Sequence, residues 1–237
     1  MLFGLLSAVS AYNFTYFGGP LVANAEVTPI FVGNVKYKYK LEEFYHRILD
    51  SNYLDGLSEY STPQYQIGRG RAKRAVHVNF TIDHREINTM MQDMLSMLAE
   101  TKKIKPNDNS VYAIHFATTS LTADGKPLCD NSCSVHNTAK INGSLVPYTV
   151  IPDFSGECAQ GCGNHTKPFD NICSLASHEL VESITDKGYG QATSFAFPVG
   201  WYDLQNGEVA DVCQGNDTNI GKFTVQRYYS VKKNQCV

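Results

Sequence analysis

The chain has 237 residues, 43% of them apolar, and a formal net charge of −3. That length supports one large domain with a substantial core. The nearly balanced charge, with no sustained basic or acidic run, argues against a dedicated nucleic-acid binder. No stretch reaches the roughly 18 consecutive apolar residues of a membrane-spanning helix.

In chain order, residues 1–11 form an apolar, signal-peptide-like segment, with Val9-Ser10-Ala11 as a small-residue cleavage site but no basic region before it. The alternative is a buried N-terminal strand. Residues 12–237 read as a single domain, with an irregular part from about 188 to 237. Glu26–Gly33 reads as a strand, and residues 37–50 as a helix with Leu41, Phe44, Tyr45, Ile48 and Leu49 at helical spacing. A further helical turn covers 53–60. Residues 61–74 form a loop ending in Arg69-Gly70-Arg71-Ala72-Lys73-Arg74, read as solvated rather than as a dibasic processing site. Residues 75–82 alternate like a strand. Asp83 is placed to cap a helix running to about Lys103, with Ile87, Met90, Met91, Met94, Leu95 and Leu98 inward. Residues 110–118 form a strand and a cysteine-bearing loop follows. Residues 146–152 form a strand bounded by Pro147 and Pro152, and proline places it at a sheet edge. A second cysteine loop leads to a helix over 170–187, with Asp170 as N-cap and Gly188 and Gly190 beyond its end. The tail finishes in a strand near 223–230.

The most informative stretch is His178-Glu179-Leu180-Val181-Glu182. His178 and Glu182 lie four apart, so they leave one face of a helix a turn from each other and can grip one metal ion. Glu179 stands where the zinc-peptidase motif H-E-x-x-H places its general base, and Glu182 replaces the second histidine. A catalytic zinc needs three protein ligands and an open position. The third is sought in the acidic run Asp203, Glu208, Asp211. Glu208, thirty residues after His178, is the first choice and Asp211 the second. The one left over would orient His178, as carboxylates do behind metal-bound imidazoles. Asp186 is read as ending the helix rather than as a ligand. In this mechanism Glu179 takes a proton from water and returns it to the leaving amine, and His136 or Tyr202 donates to the oxyanion. The competing reading of His136 is structural. Two carboxylates and a neutral imidazole cancel the charge of a divalent ion and acidify water less than two histidines would. Oxygen-rich ligation also suits calcium, which Asp203, Glu208, Asp211 and Asp217 would then enclose. For the helix itself the plain alternative is a surface helix that happens to read H-E-x-x-E.

Six of the seven cysteines are read as local staples: Cys129 with Cys133, Cys158 with Cys162, and Cys213 with Cys236, although six cysteines allow fifteen pairings. Cys173 is left as a buried free thiol. Disulfides are preferred to a zinc finger because five N-x-S/T sequons, at Asn13, Asn79, Asn142, Asn164 and Asn216, also point to secretion.

Several short blocks follow one another along the chain, each occurring once. Tyr16-Phe17-Gly18-Gly19-Pro20 comes first, then Leu57-Ser58-Glu59-Tyr60 with Ile67-Gly68-Arg69-Gly70, and then Cys133-Ser134-Val135-His136. Cys158-Ala159-Gln160-Gly161-Cys162-Gly163 follows, before Ser177-His178-Glu179-Leu180-Val181-Glu182. Gly200-Trp201-Tyr202-Asp203 and Gly207-Glu208-Val209-Ala210-Asp211-Val212-Cys213 complete the order. From about residue 16 onward this resembles the EXORDIUM-like, phosphate-induced secreted proteins, in the branch carrying the H-E-x-x-E helix. The resemblance implies an extracellular or cell-wall location. It implies no defined activity and no role in growth signalling, because the plant members known for that role lack the helix.

The element order predicts an α+β domain of zincin-like layout: a mixed sheet with an edge strand beside a metal-binding helix, and a disulfide-braced C-terminal segment. In that layout the edge strand holds extended substrate by strand addition. The expected function is secreted, zinc-dependent peptide hydrolysis. The alternative is a non-catalytic wall, matrix or fibre glycoprotein that keeps the fold and a structural ion. A third reading is a carbohydrate-binding surface around Trp201 and Tyr202. The expected partner is an extended peptide or a wall or matrix component.

Overall fold

The computed structural model describes residues 12–81, 86–123, 125–130, 132–190 and 199–237. The signal-like segment and the expected Asp83 cap lie outside these residues. The elements run β1 (Thr15–Tyr16), β2 (Glu26–Val32), α1 (Lys38–Leu49), α2 (Asn52–Asp55), β3 (Arg71–Ala72), β4 (Val76–Val78), α3 (Ile87–Glu100), β5 (Ser110–Phe116), β6 (Thr122–Ala123) and β7 (Lys126–Pro127). They continue with β8 (Val135–Ile141), β9 (Ser144–Ile151), α4 (Gly156–Gly161), α5 (Pro168–Thr185), β10 (Trp201–Tyr202), β11 (Asp217–Ile220), β12 (Phe223–Gln226), β13 (Tyr229–Ser230) and β14 (Gln235–Cys236).

The fold is mixed α+β around one mixed sheet, ordered β3-β2-β5-β9-β8, with β4 also paired to β2. β3, β4, β5 and β9 pair in parallel, and β8 closes the edge antiparallel to β9. β5 lies inside the sheet with all seven residues buried, the continuous pattern expected where both faces of a parallel strand are covered. One face packs on α1 and α5 through Val27, Phe31, Phe44, Ile48, Leu180 and Ile184. The other packs on α3 through Ile30, Val32, Met91, Leu95 and Ile114.

Proline falls inside β2 at no cost to the ladder. Ala25 and Val27 turn their carbonyls to Arg71 and Lys73, so Pro29 faces the same side. That side is unpaired between β3, which ends opposite Val27, and β4, which begins opposite Ile30.

The edge strand is β8, not the strand at 146–151. β9 lies between β5 and β8 and joins β8 through the two-residue loop Asn142-Gly143, both residues at positive φ (51° and 83°). Pro147 misled the sequence reading, but it precedes the stretch 148–151 that pairs with β5. α3 covers one end of the exposed edge. Gln92 Nε2 donates to Lys140 O (3.0 Å) and Gln92 Oε1 accepts from Lys140 N (2.9 Å), as a neighbouring strand would.

Pro168 occupies the first turn of α5 and Lys167 the cap position, so the helix starts before Asp170 and Asp170 caps nothing. Thirteen of its eighteen residues are buried, which removes the surface-helix alternative. It packs against β8, β9 and β12. Asp186 ends it. Asp186 N donates to Glu182 O and Asp186 Oδ1 accepts from Gly200 N (2.9 Å).

The disulfides are Cys129–Cys158, Cys133–Cys162 and Cys213–Cys236. The third matches the expected pair and the first two replace the expected staples. Cys158 and Cys162 are four apart around α4, so they project side by side from one face and reach a second segment rather than each other. Two bridges therefore lace the loop before β8 to α4. Cys173 is free and buried. The five sequon asparagines are all exposed. The tail is less irregular than expected, since β11–β12 and β13–β14 are antiparallel pairs. None of the described helices is long and apolar enough to cross a membrane.

Candidate metal centre

α5 and β8 bring the candidate residues together on the floor of a cavity of about 550 Å³. Its lining includes His136, His178, Glu179, Glu182, Glu208 and Asp211. Two positions meet on α5. His178 and Glu182 share one face, with Nε2 3.2 Å from Oε2. Glu179 and Glu182, three apart, share the neighbouring face, which looks at β8. His136 projects from β8 between them. Its Nδ1 is 3.3 Å from Glu179 Oε2 and 3.3 Å from Glu182 Oε2, and its Nε2 is 3.5 Å from Glu208 Oε1. The imidazole expected in a cysteine loop is thus a buried strand residue at the centre of the cluster.

Two groups of three have ligand atoms close enough to hold an ion: the buried His136, Glu179 and Glu182, and the more open His178, Glu182 and Asp211. Glu182 belongs to both. Tetrahedral ligands about 2.0–2.1 Å from zinc lie about 3.4 Å apart. The outer group has 3.2 Å and 3.8 Å between His178 Nε2 and its two carboxylates, and the inner group has 3.3 Å twice. The outer third residue is Asp211, the second choice from sequence, while Glu208 faces His136. Asp211 is 45% exposed at its side chain, and its Oδ2 accepts from Glu208 N (2.8 Å).

The charges do not balance. Four carboxylates face two imidazoles, and among the described residues no lysine or arginine pairs with Glu179, Glu182, Glu208 or Asp211. Lys187, next to the helix end, points away and donates to Asp108 O (2.8 Å). The titration shifts follow. Burial pushes Asp211 and Asp186 up to about 6, with Glu182 adding to both. Burial also raises Glu208 well above the carboxylate range, with His136 opposing. Burial disfavours the charged rings of His136 and His178, yet the carboxylates outweigh it. They raise His136 well above its usual range and His178 to about 9. Glu182 is lowered, to about 2, because His178 and His136 outweigh its burial. Three buried polar atoms make no hydrogen bond: Glu182 Oε1, and Glu208 Oε1 and His136 Nε2, which face each other at 3.5 Å, each on a residue no more than 6% exposed. The donor set, the spacings and these unpartnered atoms fit a divalent cation.

Three neighbours had no sequence signal. Ser134 Oγ donates to Glu179 Oε1 (2.5 Å). Tyr189 packs against His136 with ring centroids 4.6 Å apart and the rings tilted by 41°, and burial pushes its hydroxyl up to about 12. Gln226 Nε2 lies 2.9 Å from His178 Nδ1 and 2.9 Å from Ala210 O. With the Gln226 amide N–H donating to Nδ1, the neutral ring carries its proton on Nε2, facing Glu182. A cation at Nε2 therefore requires the proton on Nδ1 and the Gln226 amide turned to present its oxygen, which gives up the bond to Ala210 O.

The calcium loop does not assemble. Asp203 accepts from Asn13 N (2.6 Å), Gln205 N and Asn206, bracing the turn after β10. Asp217 is engaged by His165 Nε2 (2.6 Å) and Ser174 Oγ (2.8 Å). Trp201 is half-buried, donates Nε1–H to Tyr60 O (2.7 Å) and packs on Tyr16 and Tyr60, so among the described residues its ring is engaged within the fold.

The chain matches no known family model and no curated protein.

Proposed function

We propose that the protein is a secreted, metal-dependent hydrolase of peptide bonds. In this reading His178, Glu182 and Asp211 hold a divalent cation, zinc by its nitrogen-and-oxygen ligand set. Glu179 is the general base. The observation that carries the reading is the convergence of two imidazoles and four carboxylates on one cavity floor with no balancing lysine or arginine among the described residues. The ion, when bound, supplies Lewis-acid polarisation of a carbonyl.

The chain's own groups supply the rest. Ser134 holds Oε1 of Glu179, and Oε2, which faces His136 Nδ1 at 3.3 Å on the cavity floor, is the oxygen that takes a proton from water and returns it to the leaving amine. Tyr189 lines the same cavity, where its hydroxyl can donate to developing negative charge. Residues 134–137 of the edge segment border the cavity and offer backbone groups to an extended peptide. The disulfides, the exposed sequon asparagines and the resemblance to EXORDIUM-like proteins support an extracellular or cell-wall location.

Glu179→Gln tests the reading. One ion per chain should remain, while cleavage of a peptide library falls by about 10²–10⁴-fold. Cleavage unchanged by the substitution refutes the base. The second reading, a non-catalytic wall or matrix glycoprotein with a structural ion, is favoured by the contacts of both Glu179 oxygens with Ser134 and His136. It predicts no cleavage by either form.

A further inference from the structure

The inner group has no role in that mechanism beyond the base itself, yet it has the geometry of a ligand set. His136 Nδ1 stands 3.3 Å from Glu179 Oε2 and 3.3 Å from Glu182 Oε2, with all three residues buried. Glu182 stands between the two groups, with Oε2 3.2 Å from His178 Nε2 and 3.3 Å from His136 Nδ1, and its buried Oε1, which has no hydrogen-bond partner, supplies the second donor a carboxylate needs to bridge two ions. Charge points the same way. With all four carboxylates ionised and both imidazoles neutral, the state that metal ligation demands, the cluster carries −4, so one divalent ion leaves −2 and a second brings it to zero.

We propose that His136, Glu179 and Glu182 form a second, weaker site for a divalent transition cation, and that filling it inhibits the enzyme. The inference rests on the hydrolase reading above, since its consequence is that the ion engages Oε2 of Glu179 and removes the general base. The site is the weaker of the two for a structural reason. Its three side chains are already bonded to one another and to Ser134, so an ion must displace the proton His136 shares with the carboxylates. The outer group is more open, through the half-exposed Asp211.

The test uses zinc alone. The purified full chain is dialysed against buffered free zinc over several decades of concentration, and bound zinc per chain is counted by elemental mass spectrometry. Wild type should fill in two steps, with peptide cleavage rising over the first and falling at least tenfold over the second. His136→Gln and Glu179→Gln should each lose the second step and keep the first. Two near-isosteric variants guard against failure of either to fold. His178→Ala should lose the tight step. A single wild-type step that His136→Gln leaves intact and His178→Ala removes overturns the second site and leaves the hydrolase reading standing. A single step lost in His136→Gln but kept in His178→Ala overturns both. No bound zinc at any concentration also overturns both.

Discussion

Replacing Cys133 and Cys162 together by alanine should lower stability by about 3 kcal/mol. The bridge spans a sequence separation of 29. Closing a loop of that length is worth about 3.6 kcal/mol in the chain-entropy account. Cys129–Cys158 survives in the variant, so the lost bond closes a ring of only roughly ten residues, worth about 2.7 kcal/mol. For a chain of this size that lowers the melting temperature by roughly 5–11 °C. Ser134 and His136 follow Cys133 directly on the way into β8, so zinc affinity should weaken in the same variant. The assay is thermal unfolding by circular dichroism without reductant, paired with zinc titration. A shift below about 2 °C would refute the cross-loop bridge as a support of the edge strand. So would a non-reduced digest that joins Cys133 to Cys129.

Gly200→Ala should abolish soluble expression or cost more than about 3 kcal/mol, read by chemical denaturation. Its Cβ would sit 2.2 Å from Thr185 O and 2.9 Å from Asp186 Cα, backbone atoms at the end of α5 that cannot swing aside. Glu26 is held to about 2 by bonds from Asn107, opposed by burial and reinforced by Arg71 and Lys73. Its carboxylate therefore stabilises the fold above the unfolded value, and that stability is lost as pH falls from about 4.5 to 2. Linkage caps the effect at about 3.4 kcal/mol, and screening at an exposed Arg71 brings it nearer 1–2 kcal/mol. Glu26→Gln should thus destabilise at pH 7 and change nothing at pH 2, and an equal loss at both would contradict the assignment. Gln226→Leu should weaken zinc binding by about 10–100-fold by removing the partner of His178 Nδ1. Unchanged affinity would show that Gln226 does not orient the ring.

The sequence carried the helices and the buried parallel strands because their periodicity is local. The inward positions of α1 and α3 are the residues expected. The stripe on α5 also read correctly as far as His178 and Glu182. β8 was missed because Val135-His136-Asn137-Thr138 alternates polar residues that are buried only against a polar site. Its hairpin signal was present in Asn142-Gly143, but those residues read first as a sequon. The two prolines then moved the edge to the wrong strand. The choice between Glu208 and Asp211 lay beyond spacing, since both sit in one turn and only its docking decides which meets His178. His136, Ser134 and Gln226 reach α5 from 40 to 50 residues away, so spacing named His136 as a candidate oxyanion donor without placing it among the carboxylates, and gave Ser134 and Gln226 no role.

The central claim is that the cluster on α5 and β8 binds a divalent cation through Glu182, the ligand common to both groups. Elemental mass spectrometry of the purified protein, beside Glu182→Gln, tests it most directly. At least one zinc per chain in wild type and none in the variant is the predicted result. Equal metal in both, or none in wild type after zinc is supplied, would contradict the account.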